Sequence, residues 1–384
     1  MVQPKISDAE ILDDVASGKT GSEMAKQYGV TERSIRRRMA KMRETHPDMI
    51  RAEQVRATLR IPGVDRASIN FNADSQVTQS WLKVKASEQE KAEALEHFAN
   101  GLCAKIPQPK TPKIPRLKYR KDIMPSIFIG DAHIGMYAYG PETTHSDFDT
   151  GIATRQLRDA FDYLIDRAEP AEQGLLVDVG DFTHANSSHD MTYAGTKVDV
   201  DTRFHKVMKE AALTMKYAID RMLTKFKTVT VVVARGNHNT DAAAAIQLML
   251  EFHYDKNKRV NILPTEGFYH YIEYGKWLIG VTHGDKQKPE ALASSMARDM
   301  AQAWGRTTHR MWATGHFHKE AVKTLPGCKH KVFAALPPPD AWHASHGFMG
   351  DGEMEMMTFR KDGGLHSSHV YNIPRPIIEP DCKI

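Results

Sequence analysis

The feature that most constrains this chain is a run of β-branched residues at positions 228–233, which stops near Gly236 and is followed by Asn237 and His238. A run of this kind is typical of a strand buried on both faces of a sheet. In open α/β sheets, ligands bind beyond the carboxyl ends of the strands, where loops hold polar groups over a rigid edge. The run therefore predicts a layered α/β domain with a functional site at one sheet edge.

Four more apolar runs end in the same way. The polar residues that follow the five runs are Asp131 and His133, Asp181 and His184, Asn237 and His238, His283, and His316 with His318. A single Asp or His in such a place is most often a turn or core residue, so the repetition is what indicates an enzyme. Oxygen and imidazole donors without thiolates suit Mn²⁺, Fe²⁺ or Zn²⁺. Seven ligands, one of them a bridging carboxylate, are enough for two cations about 4 Å apart.

The alternation of elements supports an α/β domain from residue 123 onward. Hydrophobic periodicity predicts helices at 152–167, 202–226, 242–252 and 289–304. It predicts strands at 126–130, 175–179, 311–314, 331–335 and 354–359, and a strand pair at 269–274 and 277–282. The late paired strands favour a layered fold over a purely parallel sheet.

Charge is distributed unevenly along the 384 residues. Residues 1–121 hold 23 Lys and Arg against 15 Asp and Glu, whereas the remainder holds 29 against 33. A basic front part predicts an anionic partner there. The three cysteines are widely spaced, the N-terminus does not resemble a signal peptide, and no apolar run is long enough to span a bilayer. These features predict a cytoplasmic protein with no membrane partner.

Residues 7–45 predict three short helices with tight turns. Ser7 and Thr31 are the expected N-caps of the first and third helices, and Gly29 lies at the turn between the second and third. The third helix carries a basic cluster: Arg33, Arg36, Arg37, Arg38, Lys41 and Arg43. This arrangement resembles a helix-turn-helix DNA-binding domain, which implies that these side chains contact phosphates and guanine edges. The alternative is a small bundle whose basic face contacts a protein.

The segment between the two parts predicts a linker. A β-wing is expected around 69–81, and residues 88–102 predict an amphipathic helix that serves either as a spacer or for homodimer formation. Prolines among basic residues at 104–122 predict an extended linker. The predicted domains are therefore 1–48, helix-turn-helix; 49–103, wing and helical spacer; 104–122, linker; and 123–384, the α/β domain.

The order D-x-H, G-D, G-N-H, H and G-H-x-H resembles the motif set of the calcineurin-like metallophosphoesterase superfamily over residues 123–359. The resemblance implies a sandwich of two β-sheets flanked by helices, with a dinuclear metal centre along one edge. By matching position, one metal would be held by Asp131, His133 and His318, the other by Asn237, His283 and His316, and Asp181 would bridge both.

The same resemblance implies the chemistry. Mn²⁺ is the expected cation, with Fe²⁺ or Zn²⁺ as alternatives; a metal-bridging hydroxide would attack phosphorus, and His238 would protonate the leaving oxygen. Arg235 would either clamp a phosphate oxygen or point away. Members of the superfamily usually carry Asp or Glu after G-N-H, whereas this chain has Asn239. Either Asp241 orients His238 from the next turn, or His238 is a less basic acid.

The second motif points to a class of substrate. A histidine three residues after the bridging Asp, here His184 after Asp181, is similar to the pattern of the double-strand-break-repair exonuclease branch. The serine/threonine protein phosphatases have an Asp-Arg pair after the bridging Asp, and this motif lacks that pair. His184, Asn186 and Asp241 are therefore expected on the substrate side, with a polar loop cap as the alternative for this loop. A helix-turn-helix joined to such a domain also resembles proteins encoded by tailed phages and prophages.

Together these features predict a metal-dependent DNA nuclease, either an exonuclease or an endonuclease, that binds DNA through its N-terminal domain. One alternative is a phosphatase or small-substrate phosphodiesterase whose N-terminal domain binds a partner. Another is a regulatory DNA-binding protein with an inactive metal domain. Trp342 and His343, which follow three prolines, either line a substrate wall or anchor a packed loop.

Overall fold

The computed structural model describes residues 6–16, 19–45, 64–71, 77–84, 116–143, 145–263, 266–347 and 350–375. The chain divides into two compact units, Met1–Ala94 and Leu95–Ile384. Within the described ranges, no helix is both long and apolar enough to cross a bilayer. The predicted helix at 88–102 lies outside these ranges, and the predicted linker is described only from residue 116. The predicted domain boundaries therefore stay predictions.

The first unit contains three helices and a hairpin: α1 (Asp8–Ala16), α2 (Gly21–Tyr28), α3 (Glu32–Thr45), β1 (Val64–Phe71) and β2 (Val77–Val84). The two strands pair antiparallel where the sequence predicts a wing. Gly29 ends α2 with a φ of 64°, a left-handed conformation that glycine adopts without strain. Thr31 caps α3, since its hydroxyl accepts a hydrogen bond from the backbone N–H of Ser34 at 3.2 Å.

A small apolar core holds the three helices together. Its members come from each helix, namely Ile11, Leu12, Met24, Ala25, Ile35 and Met42. Ser7 forms a capping box with Glu10 at the start of α1. The helix-turn-helix pattern thus corresponds to three packed helices with a glycine turn.

The second unit alternates strands and helices along most of its length. Its elements are β3 (Ile123–Ile129), α4 (Gly140–Thr143), α5 (Thr150–Arg167), β4 (Ala171–Asp178), α6 (Phe204–Met222), β5 (Phe226–Val233), α7 (Thr240–Tyr254), β6 (Val260–Ile262), β7 (His270–Tyr274), β8 (Trp277–Val281), α8 (Pro289–Asp299), α9 (Ala301–Arg306), β9 (His309–Thr314), β10 (Ala321–Leu325), β11 (Cys328–Val332), α10 (Ala341–Ser345), β12 (Glu353–Arg360) and β13 (Leu365–Asn372).

These strands form two sheets, of six and five strands. The first has the order β13-β12-β3-β4-β5-β6, with β3 to β6 parallel. The second has the order β10-β11-β9-β8-β7, with β8, β9 and β11 parallel. Parallel neighbours end on the same side of their sheet, so the loops that carry the predicted ligands can meet there.

The period-two alternation of side chains explains the layers. In β5, Val229, Val231 and Val233 face the helix layer, where β5 packs against α6 and α7, whereas Val232 points to the other face and packs against the second sheet. The outer face of the second sheet packs against α8 and α9 around Trp312. The fold is thus a two-sheet α/β sandwich flanked by helices, as the sequence predicts.

Two predicted helices need correction, and three strands of the structure have no counterpart among the predicted elements. The helix expected at 202–226 ends at Met222, because the chain turns there and Phe226 already begins β5. The helix expected at 289–304 is broken at Met300, whose φ of −121° and ψ of 40° are not helical. The edge strands β6, β10 and β13 are not predicted, since such short or exposed strands lack a continuous apolar run.

Candidate metal centre

The predicted ligands follow the carboxyl ends of parallel strands in both sheets. The loops after β3 and β4 are joined by a hydrogen bond from the His133 N–H to the Asp181 carbonyl, at 3.0 Å. The loops after β8 and β9 are joined by one from the Gly315 N–H to the His283 carbonyl, at 2.9 Å. Backbone pairing therefore continues past the strand ends and fixes the loops that carry the ligands.

The first donor group consists of Asp131, His133 and His318. His318 Nε2 lies 3.1 Å from His133 Nε2 and 3.3 Å from Asp131 Oδ2. Asp131 and His133 are fully buried. One potential ligand atom from each of the three residues lies within 4.8 Å of the others, so the group can hold one cation.

The second donor group consists of Asn237, His283 and His316, with Asp181 beside it. Asn237 Oδ1 lies 3.0 Å from both His283 Nε2 and His316 Nδ1. Asp181 Oδ2 lies 3.0 Å from His283 Nε2. Asp131 Oδ1 lies 3.7 Å from His283 Nδ1, so the two groups are adjacent. The structure thus brings all seven predicted ligands together.

The two carboxyl groups differ in protonation. Burial raises the pKa of Asp131 to about 7, because burial penalises the charged form. Burial would also raise the pKa of Asp181, but the charge and hydrogen bond of His283 hold it below its usual value. Burial would lower the pKa of His283, but Asp181 and then Asp131 raise it to about 10. Without metal, Asp181 and His283 therefore form a buried ion pair at neutral pH.

Several other imidazoles of the centre are held neutral. Burial lowers the pKa of His133 well below its usual value, and it lowers the pKa of both His184 and His318 to about 3. Burial also lowers the pKa of His316. A neutral imidazole has a free nitrogen lone pair, which is the form that binds a metal.

These donors fit divalent cations. Two neutral imidazole nitrogens 3.1 Å apart repel each other unless a proton or a cation lies between them. Within the described part of the chain, the carboxylates of Asp131 and Asp181 have only histidines as ion-pair partners. Since buried charges need compensation, cations bound here would supply it. The mixture of carboxylate, amide and imidazole donors suits Mn²⁺, Fe²⁺ or Zn²⁺.

Four of the seven predicted ligands have a left-handed backbone. Their φ angles are 44° at His133, 55° at Asp181, 70° at His316 and 52° at His318. Among the residues that the structure describes, Asp190 is the single other non-glycine residue with a positive φ. This conformation costs about 1–3 kcal/mol per residue and is found mainly at functional sites. The strain is thus concentrated where ligand side chains must converge.

Two glycines make room for the carboxylates. A Cβ atom at Gly236 would lie 2.0 Å from Asp181 Oδ1, and a Cβ atom at Gly315 would lie 2.2 Å from Asp131 Oδ1. Both distances are shorter than any van der Waals contact. The glycines of G-N-H and G-H-x-H are therefore required for space beside the ligands.

His238 lies at the edge of the centre and is held by the backbone. Its N–H donates to Asp181 Oδ1 at 2.8 Å, and its ring Nδ1 lies 2.8 Å from the His184 carbonyl oxygen. Because a carbonyl only accepts hydrogen bonds, Nδ1 carries a proton and Nε2 is left to exchange one with a substrate. His184 Nδ1 in turn lies 3.1 Å from His133 Nδ1. His184 therefore contacts both a ligand and His238.

Asp241 does not orient His238. Its Oδ2 accepts from Asn186 Nδ2 at 2.9 Å, and its N–H donates to Asn186 Oδ1 at 2.7 Å. Asn186 therefore caps the first turn of α7, which is the alternative to a substrate-facing role. The position expected for a carboxylate beside His238 Nδ1 is taken by the His184 carbonyl.

Asn239, the departure from the usual motif, has a structural role. Its Oδ1 accepts from the N–H of Gly236 at 3.0 Å and from the N–H of Asp181 at 3.2 Å. The side chain is fully buried. It thus joins the loop after β5 to the loop after β4.

Arg235 lies toward the second sheet. Its Nε atom is buried and has no hydrogen-bond partner among the described residues. Burial and then the Arg235 charge lower the pKa of His270, the first residue of β7, to about 4. The charge of Arg235 thus acts on His270 of the second sheet, and the predicted contact with a phosphate oxygen stays a prediction.

Asp340 lies near the centre and is not among the residues predicted from the sequence. Its Oδ1 accepts from the His343 N–H at 2.8 Å and lies 2.7 Å from His343 Nδ1, so it caps α10. The His343 ring stacks on that of His318, with centroids 4.8 Å apart. An Asp directly before a short helix is the capping signal that could have found it.

The predicted DNA-binding residues of α3 differ in their contacts. Arg36 pairs with Glu32 at 2.6 Å, and Arg38 pairs with Asp8 at 2.8 Å, so Arg38 helps to join α3 to α1. The side chain of Arg43 lies outside the described residues. The remaining basic side chains are exposed: Arg33, Arg37 and Lys41.

Comparison with known proteins gives similar solved structures only. No family profile and no curated protein matches the chain. A Streptococcus pneumoniae protein described as a predicted phosphoesterase is 9% identical, with a TM-score of 0.27, over 66% of this chain and 99% of that chain. Zinc-bound Vps29 from Entamoeba histolytica is 12% identical, with a TM-score of 0.28, over 65% and 100%.

A third similar structure is SoxB, a sulfate thiohydrolase from Thermus thermophilus, which is 12% identical with a TM-score of 0.30, over 68% of this chain and 58% of that chain. Because these scores are low, the fold assignment rests on the sheets and layers of this chain.

Gly236→Ala is expected to weaken metal binding strongly, because the new methyl group would lie 2.0 Å from Asp181 Oδ1 and 2.6 Å from the Asp181 backbone nitrogen, so the carboxylate and its loop must both shift. Calorimetric titration with Mn²⁺ measures this loss, and circular dichroism checks the fold. Gly305→Ala is the matched control, since a Cβ atom there meets nothing within 4 Å. Binding by Gly236→Ala with unchanged affinity would show that the carboxylate is not a ligand.

Metal binding at pH 7 is expected to release about one to two protons per protein. The pKa of His283 is raised to about 10 and that of Asp131 to about 7, so His283 is protonated and Asp131 partly protonated in metal-free protein. The number of protons released should decrease as the pH rises, because both groups then lose their protons before the metal binds. Calorimetry in buffers of different ionisation enthalpy measures the number. Binding without proton release would contradict the assignment of His283 as a ligand.

Proposed function

We propose that this protein is a metal-dependent phosphodiester hydrolase whose substrate is DNA. The observation that supports this function best is the convergence of seven donor side chains, four of them on left-handed backbone, at the shared edge of two sheets. Residues that only stabilise a fold have no reason to concentrate strain and buried charge in one place. The order of the motifs, which resembles that of the calcineurin-like metallophosphoesterases, supports the same chemistry.

Each part of the centre has a distinct task in this proposal. Two divalent cations, of which Mn²⁺ is the proposed choice, would supply Lewis acidity to phosphoryl oxygens and a nucleophile from water near neutral pH. The chain holds the donors rigidly and excludes bulk water from the buried carboxylates. His238 presents Nε2 at the edge of the centre, and we assign it the protonation of the leaving oxygen.

The first unit supports DNA as the substrate. Three packed helices with a glycine turn expose Arg33 and Arg37 on α3, where a helix-turn-helix domain would contact a duplex. The surplus of basic residues before position 122 would favour an anionic polymer. A small phosphate ester would gain nothing from such a unit, so the nuclease function accounts for more of the chain than a phosphatase function does.

His238→Ala is expected to lower kcat for Mn²⁺-dependent DNA cleavage by roughly 10²–10⁴-fold, because the leaving oxygen loses its proton donor. End-labelled linear and circular DNA measure cleavage and distinguish an exonuclease from an endonuclease. Bis(p-nitrophenyl) phosphate, whose leaving group needs less protonation, should be affected less. His369→Ala, on the edge strand β13, is the matched control and should keep full activity.

Two results would contradict this proposal. Equal cleavage by His238→Ala and the parent protein would exclude His238 as the acid. Hydrolysis of p-nitrophenyl phosphate with DNA left intact would support a phosphatase instead.

The double variant Arg33→Ala/Arg37→Ala is expected to weaken duplex DNA binding and to reduce the slope of log affinity against log salt concentration by roughly 2, about one unit per lost phosphate contact. Fluorescence anisotropy over a salt series measures both quantities. Arg155→Ala/Lys209→Ala removes the same charge from exposed positions on α5 and α6 and should leave the slope unchanged. Identical slopes for the two double variants would argue that α3 does not contact DNA.

A further inference from the structure

Five exposed aromatic side chains belong to segments next to the candidate metal centre. Tyr137, Tyr139, Tyr193, Phe317 and Trp342 are each 45–58% exposed. Large apolar side chains are normally covered, and a group of exposed ones marks a binding surface. We call this set the aromatic rim.

Each member is connected to the centre by a ring contact or through its backbone. The Phe317 ring lies 5.2 Å from the ring of the ligand His316. The Trp342 ring lies 5.0 Å from His343, which stacks on the ligand His318. Phe317 thus lies directly beside a predicted ligand, and the ring of His343 separates Trp342 from another.

The tyrosines reach the centre through the backbone. The Tyr193 N–H donates to the carbonyl of the ligand Asn237 at 3.0 Å. Tyr137 follows Met136, whose N–H donates to the carbonyl of the ligand His133 at 3.0 Å. Tyr139 precedes α4, which packs against α10, the helix of Trp342. The backbone segments that carry the five rings therefore surround one site.

The composition of the rim distinguishes it from other exposed apolar groups. The exposed large aliphatic side chains among the described residues, Leu117, Val322, Leu365 and Val370, lie on edge strands or before β3 and not in these loops. Exposed lysines lie beside two of the rings, Lys197 in the loop of Tyr193 and Lys319 directly after His318, and exposed Asp199 and Glu320 lie close to them in the sequence. Aromatic faces next to positive charges suit a chain of planar rings joined by phosphates.

We propose that the aromatic rim binds the unpaired bases of single-stranded nucleic acid and so places a backbone phosphate at the metal centre. This rests on the proposed phosphodiesterase function and specifies its substrate. In a duplex the base faces are already stacked on each other, so only unpaired bases can stack on protein rings. A protein docked on the rim would cover the centre and prevent access of a phosphate, which favours nucleic acid as the occupant.

The test uses the full chain and a single-stranded DNA hexanucleotide, which does not offer the major groove that a helix-turn-helix needs. The double variant Phe317→Ala/Trp342→Ala is expected to raise KM for its cleavage about tenfold or more, since stacking contributes substantially for each base. Phe317→Tyr/Trp342→Phe, which keeps both rings, should restore KM to within about threefold of the parent value. Phe252→Ala is the matched control, because Phe252 is 42% exposed but lies near the far end of α7.

An abasic hexanucleotide and a six-base-pair duplex complete the experiment. The parent protein should cleave both with a KM at least about tenfold above that of the single strand, and the alanine variant should show little further rise with the abasic chain. Equal KM values for the three substrates, or an unchanged KM in the alanine variant, would overturn the inference.

Hydrolysis of bis(p-nitrophenyl) phosphate separates the two proposals. If the parent protein hydrolyses this ester in Mn²⁺ but does not cleave the hexanucleotide, the inference about the rim fails and metal-dependent hydrolysis stands. If it hydrolyses neither, the proposed function fails, and the inference fails with it.

Discussion

The structure of the second unit depends on the burial of two carboxyl groups among imidazoles at the edge of the sandwich. Asp131 and Asp181 are almost wholly inaccessible to solvent, and their described ion-pair partners are histidines. Such burial costs free energy unless opposite charge is close by. The conformation and packing of the residues around the two carboxyl groups are therefore tightly constrained. The left-handed ligands, the glycines beside each carboxylate and the hydrogen bonds between loops are consequences of that single requirement.

The sandwich supplies the stiffness that this arrangement needs. Strands β3, β4 and β5 are covered on one face by helices and on the other by the second sheet, through two separate apolar clusters. A strand held on both faces cannot shift its register without moving large side chains from one layer to the other. The strand ends are therefore fixed points, and the fold itself positions the predicted ligands on the loops after them.

The sequence predicts the fold class and the convergence of seven donor side chains, because both depend on local patterns. Apolar runs mark the strands, and the residues after Gly130, Gly180, Gly236 and Gly315 mark the site. The sequence predicts the contacts of single side chains less well, because these depend on neighbours that are distant along the chain. Asn186 is a helix cap and Arg235 lies near His270, which no spacing along the chain could indicate. Asp340 has no metal-ligand spacing, so only the folded loop places its partner His343 against His318.

Asn239 is better explained by charge than by the orientation of His238. A carboxylate at this buried position would add negative charge beside Asp181, whereas the amide oxygen accepts the same two backbone N–H groups without a charge. The His184 carbonyl, which is a fixed dipole and does not titrate, orients His238 instead. The proposed general acid is thus coupled to the loop of the second motif, the loop that also carries Tyr193 of the aromatic rim and binds the Asn237 backbone. Movement of that one loop would change the orientation of the acid and the surface for the substrate together.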